Sequence, residues 1–459
     1  MIDKKIISVY YDNKLFVDRT KELTIIQKII ERVIRRQKVD ARTIRISGER
    51  GVGKTWLLLH LHHLHRHKLE PLQITSFYID FDREADDRKE ESKKNEYKVR
   101  EFNAKGLLEL LKKVSEEVKA FVANDALLPE QSDWLAHALK KQNRVMVWLL
   151  DGLFDVPEEF LELLETYFLN RIIEEDQQVI IMSGRGRAPL FTHPNLNTWY
   201  EELPLGPLPR GKVADDEEEG LFDLFEKIGI LNEPGIKTTA KQEYYEKIYR
   251  ISGGYPRTAL LLVQGKDIKE SVKTAVQELL AFIKDKKERE QIQEYLESLV
   301  LLNRWQIDLN IEWGIKDPDG LYFINAYKFF YKHKLEEQNL ENAGIETFYE
   351  EFTENITEFY DKPAFWRIRN KLQDYQLLRW EVKTITIDGK EKEYQGYFVE
   401  EAIRYPLAYD IKVNKPALWQ WLHYVGWKLF DAWAKRYGKK YGPIALAHQM
   451  AWTSQKESP

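Results

Sequence analysis

Residues Gly48-Glu49-Arg50-Gly51-Val52-Gly53-Lys54-Thr55 fit the pattern G-x-x-x-x-G-K-[ST] at every fixed position. No other stretch limits the folds open to this chain as tightly. Glycines let a backbone curl around an anion without Cβ clashes, so successive N–H groups can point at one centre. The flanks agree: Thr43 to Ser47 reads as a buried strand and Trp56 to Leu64 as a helix. The loop therefore opens a helix, whose aligned peptide dipoles add partial positive charge. In that frame Lys54 reaches the outer phosphates of a nucleotide and the Thr55 hydroxyl is a candidate Mg²⁺ ligand, with Gly48, Gly51, Val52, Gly53 and Trp56 completing the cradle. A chance glycine-rich turn accounts for the octapeptide but not for strand, loop and helix in order.

Three further apolar runs, Ile74 to Phe81, Val145 to Leu150 and Val179 to Ser183, alternate with helical patterns at Ala104 to Val122 and Pro157 to Ile173. Strands alternating with helices predict a parallel sheet flanked by helices, joined by crossover connections. The run from Val145 ends in Asp151, and a phosphate loop is expected to take a Mg²⁺-organising carboxylate from a neighbouring strand. Asp151 is that candidate, and Asp155 is a candidate to orient an attacking water. The competing reading has Asp151 only capping a turn with Gly152. The run from Val179 leads into Gly184-Arg185-Gly186-Arg187. Open α/β sheets bind ligands at the carboxyl ends of their strands, so the forked guanidinium of Arg185 is a candidate reader of a terminal phosphate. Arg187 is a second candidate, for that role or for a neighbouring subunit's site. A surface arginine in a glycine turn is the competing reading.

Pro204, Gly206, Pro207 and Pro209 punctuate the chain and mark a boundary, giving a nucleotide-binding domain over 1–205. A helical domain over 206–285 begins with the acidic run Asp215 to Glu219, suited to a helix N-terminus, and the apolar Leu221, Phe222, Leu224 and Phe225. Within 286–412, helical spacing over Phe365 to Leu378 precedes an alternating run Trp380 to Ile387, the turn Asp388-Gly389 and a return strand Tyr394 to Val399. Helix plus hairpin is the outline of a winged helix. A tail over 413–459 holds a helix Pro416 to Tyr437 with Trp419, Trp421, Trp427 and Trp433. A helix apolar around most of its girth is buried on several sides. It packs on its own winged helix or, on the other reading, docks a partner chain or second subunit. No internal repeat of a solenoid kind is visible.

The charge balance of 70 basic against 75 acidic residues gives no overall drive toward nucleic acid or anionic membrane. Locally, from Ile411 to Pro459, Lys412, Lys415, Lys428, Lys435, Arg436, Lys439, Lys440 and Lys456 outnumber Asp431 and Glu457. The absence of cysteine excludes disulfides and thiolate metal sites. With no basic start followed by an apolar segment, and apolar runs too short to span a bilayer, a cytoplasmic location without membrane contact is expected. Arg83 to Arg100, nearly all polar, reads as a solvated loop or exposed helix. His60, His62, His63, His65 and His67 read as a solvated helix face rather than a metal site, since no acid lies among them.

Five segments in order resemble a known family, the STAND-type P-loop ATPases that include NACHT and NB-ARC regulators. Beside the phosphate loop, Phe16-Val17-Asp18-Arg19-Thr20-Lys21-Glu22-Leu23 is similar to the family's F-V-G-R-E-x-E-L, Asp151-Gly152-Leu153-Phe154-Asp155 to its D-G-L-D-E, Ser183-Gly184-Arg185 to its T-T-R, and Gly253-Gly254-Tyr255-Pro256 to its G-G-x-P. The resemblance implies ATP/ADP and Mg²⁺ as cofactors, with Phe16, Val17 and Arg19 along the adenine and Pro256 packed on the nucleotide. It implies a switch that changes conformation or self-associates with nucleotide state, working with separate effector or sensor proteins in prokaryotic signalling or antiviral defence. Phe154 stands where the family has an acid, which implies slow hydrolysis. The Met-His-Asp element is matched at best by Val399 to Arg404, without a histidine. A second resemblance competes. Arg257 follows Pro256 as the second sensor arginine does in origin-recognition and related AAA+ initiators, which carry a C-terminal winged helix and bind DNA. That resemblance implies a regulator of replication or transposition, contacting DNA through the winged helix or basic tail. Gly152, where AAA+ ATPases carry a glutamate, counts against it.

Overall fold

A computed structural model of the chain describes residues 13–39, 41–67, 74–81, 96–185, 189–211, 219–230, 238–263, 267–302, 319–336, 338, 340, 344–359, 362–387, 390–437 and 441–453. The chain divides into two compact units, one of residues 1–245 with 254–257, the other of 246–253 with 258–459.

The first unit is built on strands β1 (Thr43–Ser47), β2 (Ile74–Asp80), β3 (Glu96–Lys98), β4 (Val145–Asp151), β5 (Gln178–Ser183) and β6 (Tyr200–Pro204). They lie in the order β3-β2-β4-β5-β1-β6, and all pair in parallel. Strands covered on both faces need apolar residues at nearly every position, which is why β1, β2, β4 and β5 read as continuous runs. Helices α1 (Thr20–Ile34) and α2 (Lys54–His67) contact the inner strands on one face. On the other, Phe77, Ile79, Trp148, Leu150, Ile180 and Met182 share a core with α3 (Ala104–Glu117), α4 (Leu128–Lys140) and α5 (Glu158–Leu164). Helix α3 presents Leu107, Leu110, Leu111 and Val114 at helical spacing, and the Asn103 side chain caps it by accepting from the Gly106 N–H at 3.0 Å. The buried Trp148 indole N–H donates to Gln178 Oε1 at 2.8 Å.

Two edge strands escaped the sequence pattern. Strand β3 lies at the end of the polar tract read as loop or helix, whose residues 82–95 fall outside those described. Strand β6 ends at Pro204, so that proline closes a strand beside β1. An edge strand has one exposed side and needs no apolar run, and proline is tolerated there because no further strand needs its N–H. The unit also holds α6 (Leu221–Ile228), which starts after Gly220 with Leu221, Phe222, Leu224 and Phe225 buried. Of the acidic run before it, only Glu219 is among the described residues.

Helices α7 (Thr238–Ser252) and α8 (Pro256–Val263) flank the Gly253–Tyr255 turn. The second unit continues through α9 (Ile268–Leu279), α10 (Lys286–Leu299), α11 (Asp319–Lys332), α12 (Ile345–Glu354) and α13 (Lys362–Asp374). Strands β7 (Leu378–Ile387) and β8 (Lys390–Val399) then form an antiparallel hairpin with Ile387 opposite Lys390. This is the winged-helix outline. Asp388 and Gly389 themselves lie outside the described residues. Helices α14 (Glu401–Asn414), α15 (Pro416–Tyr437) and α16 (Gly442–Thr453) close the chain. Trp421 is fully buried and its indole N–H donates to the Ala326 carbonyl at 2.9 Å. Trp427 stacks on Trp452 with centroids 5.4 Å apart, Trp433 meets Phe430 and Tyr441 edge-on, and Trp419 meets His423. The tail's aromatics thus pack within their own unit, Trp427 against Trp452 of α16, a helix with no clear polar face and no readable periodicity. The His448 side chain of α16 packs on the α15 backbone at Gly426, where a Cβ would lie 2.7 Å from His448 Nδ1.

Candidate functional site

The phosphate-loop geometry follows from its glycines. Gly48, Gly51 and Gly53 have φ of 155°, 76° and 104°, a region costly for any residue with a Cβ. At Gly48 a Cβ would meet the Leu205 carbonyl oxygen at 2.7 Å, and at Gly51 the Arg257 Cβ at 3.0 Å; at Gly53 it would meet nothing within 4 Å. The loop is packed on two sides and open on the third, the concavity an anion needs. Lys54 Nζ donates to the carbonyls of Gly48 and Glu49 at 2.7 and 2.9 Å, holding its charge over the loop. Val52 is buried, and Thr55 and Trp56 lie in the first turn of α2.

Asp151 does not stand on a strand next to the loop's own, as expected from the sequence. Strand β5 lies between β1 and β4. The connection runs through Ser183: Ile46 is in register with Ser183, and Ser183 Oγ donates to Asp151 Oδ1 at 2.6 Å. Tyr78 Oη donates to Asp151 Oδ2 at 2.8 Å. Burial, and then the Asp151 charge, pushes the Tyr78 phenol well above its ordinary pKa, so it stays a donor. Asp80, in register with Asp151, is a second buried acid at this edge, ion-paired to Arg100 at 3.4 Å. The sequence signal for it, an apolar run ending in an acid, is the one that picked out Asp151.

Gly152, with φ 75°, turns the chain into the single helical turn Leu153–Asp155. Asp155 and Arg185 face each other, Arg185 Nε donating to Asp155 Oδ2 at 3.2 Å. Phe154 packs on Gly184, whose N–H donates to the Ile46 carbonyl at 3.3 Å. These residues gather at the carboxyl edge of the sheet that carries the loop. Arg187 lies outside the described residues.

Arg19 is a buried bolt. Its Nη2 donates to the carbonyls of Val52 at 2.9 Å and Gly206 at 2.8 Å, and Nη1 lies 3.6 Å from Glu22. Burial lowers its pKa below the usual arginine value. Asp18 and Arg19 both have positive φ, 56° and 70°, so Asp18 occupies a left-handed position of the kind that glycine fills at least cost. Val17 is buried, and Phe16 stacks on His60 with centroids 3.9 Å apart. On the far side of the loop, Arg257 N–H donates to the Gly51 carbonyl at 3.3 Å, beside Pro256 at the start of α8. Tyr255 Oη donates to Glu49 Oε2 at 2.8 Å.

The histidine helix face is not solvated as the sequence suggested. His62 and His65 are buried, with His62 Nδ1 2.8 Å from Ser76 Oγ. Burial pushes His65 down to about 4, so it is neutral. Among the described residues no group of three His, Cys, Asp or Glu side chains is arranged to hold a metal. The oxygen donors Thr55 and Asp151 nevertheless fit a hard cation that takes most of its ligands from phosphate and water.

No protein-family model matches the sequence, and no curated protein matches it. Similar solved structures include a Walker-type ATPase of Pyrococcus abyssi, at 12% identity and a TM-score of 0.46, over 85% of this chain and 96% of that one. The Orc1 protein of Aeropyrum pernix in complex with DNA matches at 13% identity and 0.38, over 90% and 98%, and Cdc6p of Pyrobaculum aerophilum at 12% and 0.39, over 90% and 99%. These likenesses are too distant to carry function, which rests on the chain's own geometry. The parallel sheet with its glycine loop opening α2 is a P-loop nucleoside-triphosphatase fold. Among the described residues no helix is long and apolar enough to cross a membrane.

Proposed function

We propose that the chain binds ATP with Mg²⁺ and uses the bound nucleotide as a conformational switch, hydrolysing it slowly. The observation carrying this is the continuous link from the loop strand through Ser183 to Asp151, which sets a buried carboxylate beside the sheet edge where the Lys54 loop opens. In this reading Gly48, Gly51, Gly53 and Lys54 take the phosphates, and Thr55 and Asp151 hold the cation, which when bound neutralises phosphate charge. Asp155 and Arg185, now paired, part to meet a water and the terminal phosphate. Phe16 and Val17 border the base, with Arg19 fixing the loop behind them, Trp56 completes the phosphate cradle, and Pro256 borders the nucleotide. A ligand shifts such an equilibrium only by contacts that differ between the two states; the terminal phosphate supplies them here. Loss of ATP binding in Lys54→Ala is the expected result, and parental affinity in that variant sinks the assignment.

Two finer readings follow. A STAND-type signalling or defence switch rests on the five ordered motifs. A DNA-bound AAA+-like regulator draws support from Arg257, whose backbone and side-chain stem lie against Gly51, and from the winged-helix outline; the placement of Arg257 favours this second reading. Light scattering with ADP, with a non-hydrolysable ATP analogue, and with duplex DNA added to each separates them. Salt-dependent duplex binding supports the regulator, and nucleotide-dependent assembly without DNA supports the signalling switch.

A further inference from the structure

We propose that Tyr78 and Ser183 are positioning residues for Asp151, their hydroxyls holding its carboxylate in the orientation that a nucleotide-bound divalent cation needs. The inference rests on the reading of Asp151 as that cation's carboxylate.

Strand register brings the three together. Asp80 pairs with Asp151 across β2 and β4, and Leu150 pairs with Met182 across β4 and β5, so Ser183 falls beside Asp151. Side chains alternate along a strand, so Tyr78, two residues before Asp80, shares the Asp151 face. That face is the one contacted by α2, which begins at Lys54. The longer phenol reaches diagonally forward to Oδ2, and the short serine reaches Oδ1 directly.

The donors differ in kind from those of the neighbouring acids. Asp80 faces Arg100 and Asp155 faces Arg185. Asp151 is 5% exposed and, among the described residues, forms no ion pair; it accepts from two neutral hydroxyls, one per oxygen. A buried carboxylate is normally paired with a base or a metal. A carboxylate has about four lone-pair sites, so one on each oxygen stays available. The terminal torsion of aspartate is broad and two-fold when free, and two bonds from opposite strands fix it. Neutral donors orient the carboxylate without cancelling its charge, and that charge is what attracts the cation.

The test uses the full chain, with Tyr78→Phe and Ser183→Ala singly and together. Mn²⁺ binding in the presence of ADP is followed by electron paramagnetic resonance, nucleotide affinity is measured in EDTA, and melting is recorded. Outer-shell partners of metal ligands are typically worth 10- to 100-fold in metal affinity. Each single variant is expected to raise the half-saturating Mn²⁺ by about tenfold or more. Metal-free nucleotide affinity should stay within about twofold, because the loop donors are untouched. A Tyr78→Phe chain that half-saturates like the parent overturns the proposal. So does equal weakening of metal-free binding, which marks a purely structural role. If the parent itself shows no ADP-dependent Mn²⁺ binding, the functional reading of Asp151 falls and takes this inference with it.

Discussion

Gly184→Ala perturbs the site at its tightest packing point. An added Cβ would lie 2.3 Å from Phe154 Cβ and 2.7 Å from the Phe154 backbone nitrogen. Carbon atoms in contact sit about 3.5–4.0 Å apart, so the two segments must separate by about 1 Å. Phe154 Cγ lies 2.5 Å from the same point, but the Cβ and nitrogen contacts belong to backbone or its first carbon, and no rotamer change relieves those. Overpacking of this kind costs about 1–3 kcal/mol. Gly184 directly precedes Arg185 and Phe154 directly precedes Asp155, so the same shift opens their 3.2 Å ion pair. That pair, with side chains 18% and 21% exposed, adds on the order of 1 kcal/mol. At about 2–4 °C per kcal/mol for a unit of this size, the expected melting shift is about 2–16 °C downward. Lys54 and its loop are untouched, so ADP affinity should hold while the preference for ATP over ADP falls. Phe154→Ala should rescue the variant only in part, because alanine loses the Cγ contact and keeps those of Cβ and the backbone nitrogen. Scanning fluorimetry and titration with labelled ADP and ATP analogues read both effects. A melt within about 1 °C of the parent, or full rescue by Phe154→Ala, refutes the packing as described.

Gly253→Ala places a Cβ 2.3 Å from the Tyr405 ring at φ 62°. It should cost about 1–2 kcal/mol for the left-handed backbone and about 1–3 for the clash, and Tyr405→Ala should return only the second part in a urea-melt cycle. Acid should destabilise the chain through its buried histidines: His65 and His448 are pushed down to about 4 by burial. Unfolding therefore takes up protons between the free value near 6.5 and about 4, so their contribution is complete above about pH 6.5 and is lost as pH falls toward 4. By linkage, each is worth on the order of 2 kcal/mol between pH 7.5 and 5. The urea midpoint of His65→Leu should depend less on pH than the parent's; equal dependence removes His65 as the source.

The sequence by itself determined the strand–loop–helix at Gly48 to Thr55, the apolar strands, Asp151 at a strand end and Arg185 after another. These depend on glycine's backbone freedom and on side-chain periodicity, which act over a few residues. It also gave the helix and hairpin of the winged-helix outline, because an alternating run that returns after a two-residue turn is a local signal. Strand order was decided only by the tertiary structure: β5 entered between the loop strand and β4, since parallel neighbours are chosen by long crossovers and not by local pattern. Register then set Tyr78 and Ser183 on Asp151 and brought Asp80 alongside. Burial turned His62 and His65 from a supposed solvent face toward the sheet, and it made Arg19 a bolt behind the loop. In each case the deciding contact joins residues far apart in sequence, whose pairing energy has no trace in the residues on either side.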